Sequence, residues 1–112
     1  MKEVTFANKS LYVGDDLAAA LVEYARLLAD TSGADSVTMR AIDSTGLTVD
    51  ATFLLSAASV LLTQSSSLQA EPPDNREAVR YIYQRIDAIN RPIGPQAIDS
   101  WETRDYDMDG SP

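Results

Sequence analysis

A chain of 112 residues with a net charge of −8, no cysteine and no histidine excludes several kinds of chemistry. The missing cysteines exclude disulfides, zinc–thiolate sites and thiol nucleophiles, and the missing histidines exclude Ser-His-Asp catalysis and histidine-ligated metals. The excess of 17 acidic over 9 basic residues disfavours direct binding to nucleic acid and to anionic membranes. We therefore expect a non-enzymatic protein without a catalytic site.

The length fits one domain, and a 45% share of hydrophobic residues is ordinary for a globular protein. We predict a single α+β domain over residues 1–92. It is followed over 93–112 by a polar segment that contains Pro and Gly and is called the acidic tail below. The first residues lack the apolar core of a signal peptide, and the apolar-rich stretch 51–62 is too short to span a bilayer. These features predict a cytoplasmic protein.

The N-terminal third predicts two small strands and a helix. Residues 3–7 and 11–13 are β-prone on either side of a polar turn, which indicates a short hairpin or two separate strands. A helix begins near Asp15 or Asp16, each a suitable N-cap, and ends at Gly33, a natural left-handed C′ residue. Its predicted buried face carries residues spaced at i, i+4, i+7 and i+11, namely Leu17, Leu21, Tyr24 and Leu28.

A central hairpin is the clearest prediction. Residues 36–43 and 47–55 alternate between apolar and polar side chains, and Asp43-Ser44-Thr45-Gly46 lies between them. Asp at the first position and Gly at the fourth are typical of a type I turn followed by a left-handed glycine. Ile42 and Leu54 fall on the face opposite the main apolar stripe, which suggests burial against a second copy.

Residues 54–64 fit two patterns. Leu54, Ala58 and the leucines at 61 and 62 fit a helical face, whereas residues 60–63 fit a third strand after a turn at 56–59. We favour the strand, because a continuing meander needs the simplest connection.

The second helix begins after a proline-containing loop. Asp74 is a suitable cap and Glu77 occupies the third helical position, an arrangement typical of a capping box. Its predicted buried face carries residues at spacings of 3, 4 and 3, namely Val79, Ile82, Ile86 and Ile89. The helix stops at Asn90-Arg91-Pro92. The order of elements predicts a small antiparallel sheet, a hairpin or meander, with two amphipathic helices packed on one face.

The run Asp43-Ser44-Thr45-Gly46-Leu47 resembles the Asp-Ser-Ser/Thr-Gly-Leu signature of STAS domains of the anti-sigma-factor-antagonist type. In that family a kinase partner phosphorylates the serine, a strand precedes the motif and a helix follows it at once. Here residues 47–55 alternate with period two and carry strand-forming side chains. A β-turn explains the same five residues.

The acidic tail carries two features. Asp105 to Gly110 matches the first half of an EF-hand loop, but the glutamate of loop position 12 is missing, so we predict an acidic segment and no metal or cofactor. Trp101, the only tryptophan, lies here near Tyr106. An aromatic in a polar segment folds back onto its own domain, anchors a partner, or stays exposed to solvent.

Arginines form one local positive patch in this acidic protein. Arg76, Arg80 and Arg85 lie on the exposed face of the second helix, and Arg91 follows its end. Such a patch can receive a carboxylate or a phosphate, or the acidic tail of the same or another chain. Solvated helix surface, with Glu77 and Asp87 as local partners, is the simpler interpretation.

The leading hypothesis is a non-enzymatic protein–protein interaction module, homodimeric or bound to another protein. The candidate contact residues are Trp101, Tyr106, Arg76, Arg80 and Arg85. One alternative is an acidic inhibitor or immunity-type protein that blocks a basic enzyme. Another is a small-molecule-binding or enzymatic domain, which needs a pocket lined by Tyr and Arg and a buried carboxylate such as Asp50.

Overall fold

The computed structural model describes residues 1–91, which form five strands and two helices. The strands are β1 (Lys2–Phe6), β2 (Lys9–Val13), β3 (Ala34–Ile42), β4 (Thr48–Ser56) and β5 (Leu61–Ser65), and the helices are α1 (Asp15–Thr31) and α2 (Arg76–Asn90). Neighbouring strands are all antiparallel, in the order β4-β3-β2-β1-β5. The predicted α+β class is confirmed.

The fifth strand confirms the strand predicted at residues 60–63, but it does not continue the meander as predicted. β5 lies beside β1, with Leu61 opposite Phe6, whereas a meander would place it beside β4. Two strands separate β1 from β4, yet the ring centroids of Phe6 and Phe53 lie only 5.3 Å apart. This short distance indicates a strongly curved sheet. This curvature allows the short connection over residues 57–60 to reach the free edge of β1.

The predicted hairpin between β3 and β4 is confirmed, including its turn. The N–H of Gly46 donates to the carbonyl of Asp43 at 3.0 Å, and Gly46 has a φ of 90°. The Asp43 carboxylate accepts from the hydroxyl of Thr45 at 2.6 Å and from the N–H of Leu47 at 3.0 Å. These two bonds, in that order, hold the pKa of Asp43 below its usual range. A strand follows the turn, where STAS domains place a helix.

The first helix buries its predicted face, but its ends differ from the prediction. The buried residues include all four predicted ones, Leu17, Leu21, Tyr24 and Leu28. The N-cap is Gly14 rather than an aspartate, and Asp16, inside the first turn, accepts the N–H of Leu17 at 2.8 Å. Ser32, with a φ of 55°, takes the left-handed position predicted for Gly33. A Cβ on Gly33 would lie 3.0 Å from the Leu28 side chain, so glycine provides space there rather than a positive φ.

The second helix also keeps its predicted face. Ile82 and Ile86 are buried, and Val79 and Ile89 pack against the core. The predicted capping box is wrong: Asn75 is the N-cap and makes no side-chain cap bond, while Asp74 accepts the N–H of Arg76 at 3.1 Å. The Asn75 side chain contacts β3 instead.

Buried strand side chains that share one face of the sheet join the buried side chains of both helices in one core cluster. The strand members are Val4, Leu11, Val13, Val37, Met39, Ala41, Phe53 and Leu55. On the opposite face Ile42 is buried within the single chain, whereas Leu54 is 58% exposed. Of the two residues predicted to be covered by a second copy, only Leu54 is therefore left exposed.

Candidate functional site

The edge of β3 that faces β2 is open over most of its length. Within residues 1–91, β2 pairs with β3 only at Tyr12 and Ile42. The N–H of Asp43 donates to the carbonyl of Leu47, so in the ladder between β3 and β4 the odd-numbered residues of β3 form the backbone hydrogen bonds to β4. The backbone N–H and C=O groups of the even-numbered residues therefore point toward the open edge. Along the middle of β3 these residues are Ser36, Thr38 and Arg40.

Asn75 occupies the position that a neighbouring strand would take beside Arg40. Its Oδ1 accepts the Arg40 N–H at 2.8 Å, and its Nδ2 donates to the Arg40 carbonyl at 2.7 Å. One side-chain amide thus pairs with both backbone groups of a strand residue, as the backbone of a paired strand does. This contact, called the Asn75 clasp, holds the N-terminal end of α2 against β3.

A second contact, called the Asp35 clasp, holds the middle of α2 near the start of β3. The hydroxyls of Tyr24 on α1 and Tyr81 on α2 both donate to Asp35 Oδ2, at 2.5 and 2.6 Å. The N–H of Ser36 donates to Asp35 Oδ1 at 2.8 Å. Tyr24 is buried, whereas Tyr81 is 40% exposed. The clasp therefore joins both helices to the sheet.

Burial and hydrogen bonds fix the protonation of the Asp35 clasp. Burial alone would raise the pKa of Asp35, but the two tyrosine hydroxyls and the N–H of Ser36 outweigh it and hold that pKa below its usual range. Burial, and then the bond to Asp35, raise the pKa of Tyr24 to about 12. The bond to Asp35, and then burial, raise the pKa of Tyr81. At neutral pH the carboxyl is charged and both hydroxyls are protonated, which suits a structural contact rather than proton transfer.

Between the two clasps a groove follows the open edge of β3. It encloses about 600 Å³ near Asn75 and about 290 Å³ toward Tyr81. Thr38, Glu77 and Ala78 line both parts, so the two parts are adjacent, and we call them together the β3–α2 groove. The backbone N–H and C=O of Thr38 point to this edge and have no hydrogen-bond partner within residues 1–91.

Charged side chains of both signs line the wider part of the groove. They are Arg40, Arg76, Arg80, Asp50, Asp74 and Glu77. Arg40 pairs with Asp50 at 3.6 Å, and Arg76 binds Asp74 through two hydrogen bonds of 3.1 and 3.0 Å. Within the described chain Arg80 and Glu77 form no ion pair. Arg80 is thus the groove cation that a ligand can engage without displacing a partner in residues 1–91.

The predicted contact residues fall in different places. Arg76 and Arg80 line the β3–α2 groove, whereas Arg85 lies beside Tyr24, whose hydroxyl raises the pKa of the Arg85 guanidinium. Trp101 and Tyr106 lie outside the described residues, as does the EF-hand-like run. Asp50, named for the enzymatic alternative, is not a buried carboxylate, because its side chain is 78% exposed.

Sequence reasoning missed both clasps. Asn75 stands in a run that fits a helix start, and the spacing of the first helix assigns Tyr24 to the core. An Asn before a helix is normally a cap, and no local pattern shows that its amide bonds to a strand 35 residues away in sequence. Asp35 precedes the predicted strand 36–43 and in the sequence equally resembles a turn residue, whereas in the structure it is the second residue of β3. Both clasps depend on contacts between residues that only the tertiary structure brings together.

A second cavity, of about 450 Å³, lies between the two hairpins. Its apolar lining includes Phe6, Leu11, Val49 and Phe53, with Lys9 and Asp43 among its polar residues. The lining contains neither tyrosine nor arginine, the residues that the small-molecule alternative requires. The volume lies in the usual range for small ligands, but convergent polar groups are few.

An apolar surface surrounds the connection between β4 and β5. Leu54, Val60 and Leu62 are 58%, 76% and 54% exposed. The hydroxyl of Ser59 donates to the carbonyl of Leu54 at 3.0 Å, which holds the connection beside the end of β4. We call these three side chains the β4–β5 patch. Exposed apolar side chains grouped in this way are typical of contact surfaces.

No protein-family model, curated protein or solved structure matches the chain. The comparison with STAS domains therefore rests on the five residues of one turn. Of the two described helices, neither is long and apolar enough to cross a membrane.

Proposed function

We propose that the protein is a non-enzymatic protein–protein interaction module that binds an extended segment of a partner protein in the β3–α2 groove. The observation that carries this proposal is the unpaired backbone of Thr38 on an open strand edge beside a helix. An edge with free donors and acceptors is a template for strand addition, in which the main chain of a peptide supplies the missing ladder.

The Asn75 clasp supports this mode of binding. It places an amide beside Arg40 with the donor and acceptor positions of a strand residue. The next residue that points to the open edge, Thr38, lies about 7 Å further along the strand. An extended peptide would therefore pair with the backbone of Thr38, next to the Asn75 amide that pairs with Arg40, and α2 would lie on its other side.

Charge favours an acidic residue in the bound segment. Arg80 lines the groove and has no ion-pair partner within residues 1–91. A carboxylate from the ligand would gain a charge-assisted hydrogen bond with the guanidinium. Glu77 lines the same groove, so a second carboxylate close to it would be repelled. The proposed ligand is an extended peptide with an acidic residue opposite Arg80.

We further propose that both helices pack on the same face of the sheet. The support is the core cluster, in which Leu17 of α1 and Ile82 of α2 join strand residues of one face. The other face carries polar cross-strand pairs, such as the hydroxyls of Thr38 and Thr52 at 2.9 Å. A ligand then enters the groove from this polar face.

A short acetylated peptide of threonines with one central glutamate is a suitable probe. In the free protein we expect the amide proton of Thr38 to exchange with solvent faster than those of Val37 and Met39, which bond to β4. Saturating peptide should slow the exchange of Thr38 to the rate of its neighbours, as measured by NMR. Unchanged exchange at Thr38 in the presence of bound peptide would contradict strand addition.

Two controls separate backbone pairing from charge. The same peptide with N-methylated central residues keeps its charge but loses its backbone donors, and we expect it not to bind. In the protein, Thr38→Pro removes the N–H that faces the groove, whereas Thr38→Val removes only the hydroxyl. Binding should be lost in the first variant and kept in the second, with both folds checked by circular dichroism.

A second candidate function is self-association through the β4–β5 patch. Its support is the exposure of Leu54, Val60 and Leu62 close to two strand edges that are free within the described chain. The replacement Leu62→Asp should convert a dimer measured by light scattering into a monomer. A monomeric wild-type protein at high concentration would remove this candidate and leave the groove proposal untouched.

A further inference from the structure

The arginines near the β3–α2 groove differ in whether a carboxylate pairs with them. Arg76 is held by Asp74 and Arg91 by Asp87, the latter at 3.2 Å. Arg80, in the groove, forms no ion pair within residues 1–91, whereas Arg85, on the same helix, lies beside Tyr24 and its charge helps to lower the pKa of Asp35. Arg80 is therefore an exposed cation in the groove that a carboxylate can bind without displacing a partner within residues 1–91.

The acidic tail has the complementary charge. It carries five carboxylates and one arginine, namely Asp99, Glu102, Asp105, Asp107, Asp109 and Arg104. The first two flank Trp101. Either carboxylate, with Thr103 close by, can supply the one acidic residue that the proposed ligand places opposite Arg80.

The length of the chain beyond α2 suffices to reach the groove. The helix rises about 1.5 Å per residue, so Arg91 lies about 20 Å from Ala78. An extended chain covers about 3.3 Å per residue, and about six residues bridge this distance. A segment that returns along α2 would therefore bring residues 98–104 alongside Thr38 and Arg80.

We infer that the acidic tail binds in the β3–α2 groove of its own chain, with Asp99 or Glu102 on Arg80, and competes with the partner segment. This inference rests on the proposed function, because it gives the groove an intramolecular ligand. Tethering gives the tail a high effective concentration, so a weak contact is enough to regulate access.

Trp101 is the only tryptophan, and its fluorescence reports the tail alone. In the full chain we expect acrylamide to quench Trp101 less than it quenches a free peptide of residues 93–112. The variant Arg80→Glu should raise quenching to the level of the free peptide. Arg26→Glu is the matched control, since Arg26 lies on α1 outside the groove and pairs with Asp30 at 3.3 Å, and it should leave quenching unchanged.

Affinity for the acidic probe peptide gives the second readout. Asp99→Asn combined with Glu102→Gln, in the full chain, should tighten binding by about tenfold, which corresponds to a groove that is open in about one molecule in ten. Equal affinity of this variant and the wild type would overturn the inference and leave the proposed function standing. Trp101 protection that Arg80→Glu removes, without any peptide binding, would sustain the contact and overturn the proposed function.

Three results would overturn the intramolecular contact. The first is wild-type quenching equal to that of the free peptide. The second is protection that Arg80→Glu does not change, which would place Trp101 elsewhere. The third is protection that increases with protein concentration, which would assign the contact to a second copy.

Discussion

The two clasps hold the same helix to the same strand by different means. The Asp35 clasp joins side chains, one of them buried, around a charged carboxylate. The Asn75 clasp joins a half-buried side chain to an exposed backbone. Hydrogen bonds are stronger where water is excluded, so the first clasp contributes more to stability than the second. We expect α2 to stay fixed at Tyr81 and to move more easily at Asn75, where the groove is widest.

The largest expected effect is that of Tyr24→Phe. It removes a donor from a charged acceptor in a buried position and should lower the free energy of unfolding by about 2 kcal/mol. Urea denaturation measures this loss. Tyr81→Phe is the matched control, because it removes the same group from the same oxygen at a position that is 40% exposed, and it should cost less than about 1 kcal/mol. Equal losses would show that burial does not distinguish the two tyrosines.

The next largest effect is that of Asn75→Ala. Two hydrogen bonds to Arg40 are lost, but no helix cap, because the Asn75 side chain makes no cap bond. Water replaces both partners at this exposed site, so we expect a loss of about 1 kcal/mol. The amide of Arg40 should then exchange faster, with Met39 unchanged, as measured by hydrogen exchange. An unchanged rate at Arg40 would contradict the clasp.

The smallest effect is a dependence on alkaline pH. The folded state raises the pKa of Tyr24 from 10.0 to about 12, so the folded protein keeps a proton that the unfolded chain loses over this interval. The stabilising contribution is complete below pH 10.0 and is lost as the pH rises toward about 12. At pH 10.5 the loss should be about 1 kcal/mol or less. Tyr24→Phe should weaken this dependence and leave only the part that comes from the raised pKa of Tyr81, and an equal slope in both proteins would refute the assignment to Tyr24.

Local sequence patterns alone determined the central hairpin, its turn and the buried faces of both helices. The alternation of residues 36–43 and 47–55, with Asp43 and Gly46 between them, predicts the central hairpin and its turn. Spacings of three and four predict the buried faces of α1 and α2. These features depend on contacts within a few residues, and the period of a strand or helix makes them visible in the sequence. The absence of histidine and cysteine limits the possible chemistry in the same direct way.

Tertiary structure alone decided where these elements meet. The pattern of residues 60–63 predicts a strand but does not say that its neighbour is β1 rather than β4, because either edge offers the same backbone groups. Asn75 and Asp35 resemble a cap and a turn residue until the fold brings Arg40, Tyr24 and Tyr81 beside them. The open edge of β3 likewise exists because β2 is short and pairs with one end of β3, a property of register rather than of composition. Pairing over long sequence distances is set by the packing of the whole core, so the candidate site emerged only from the fold.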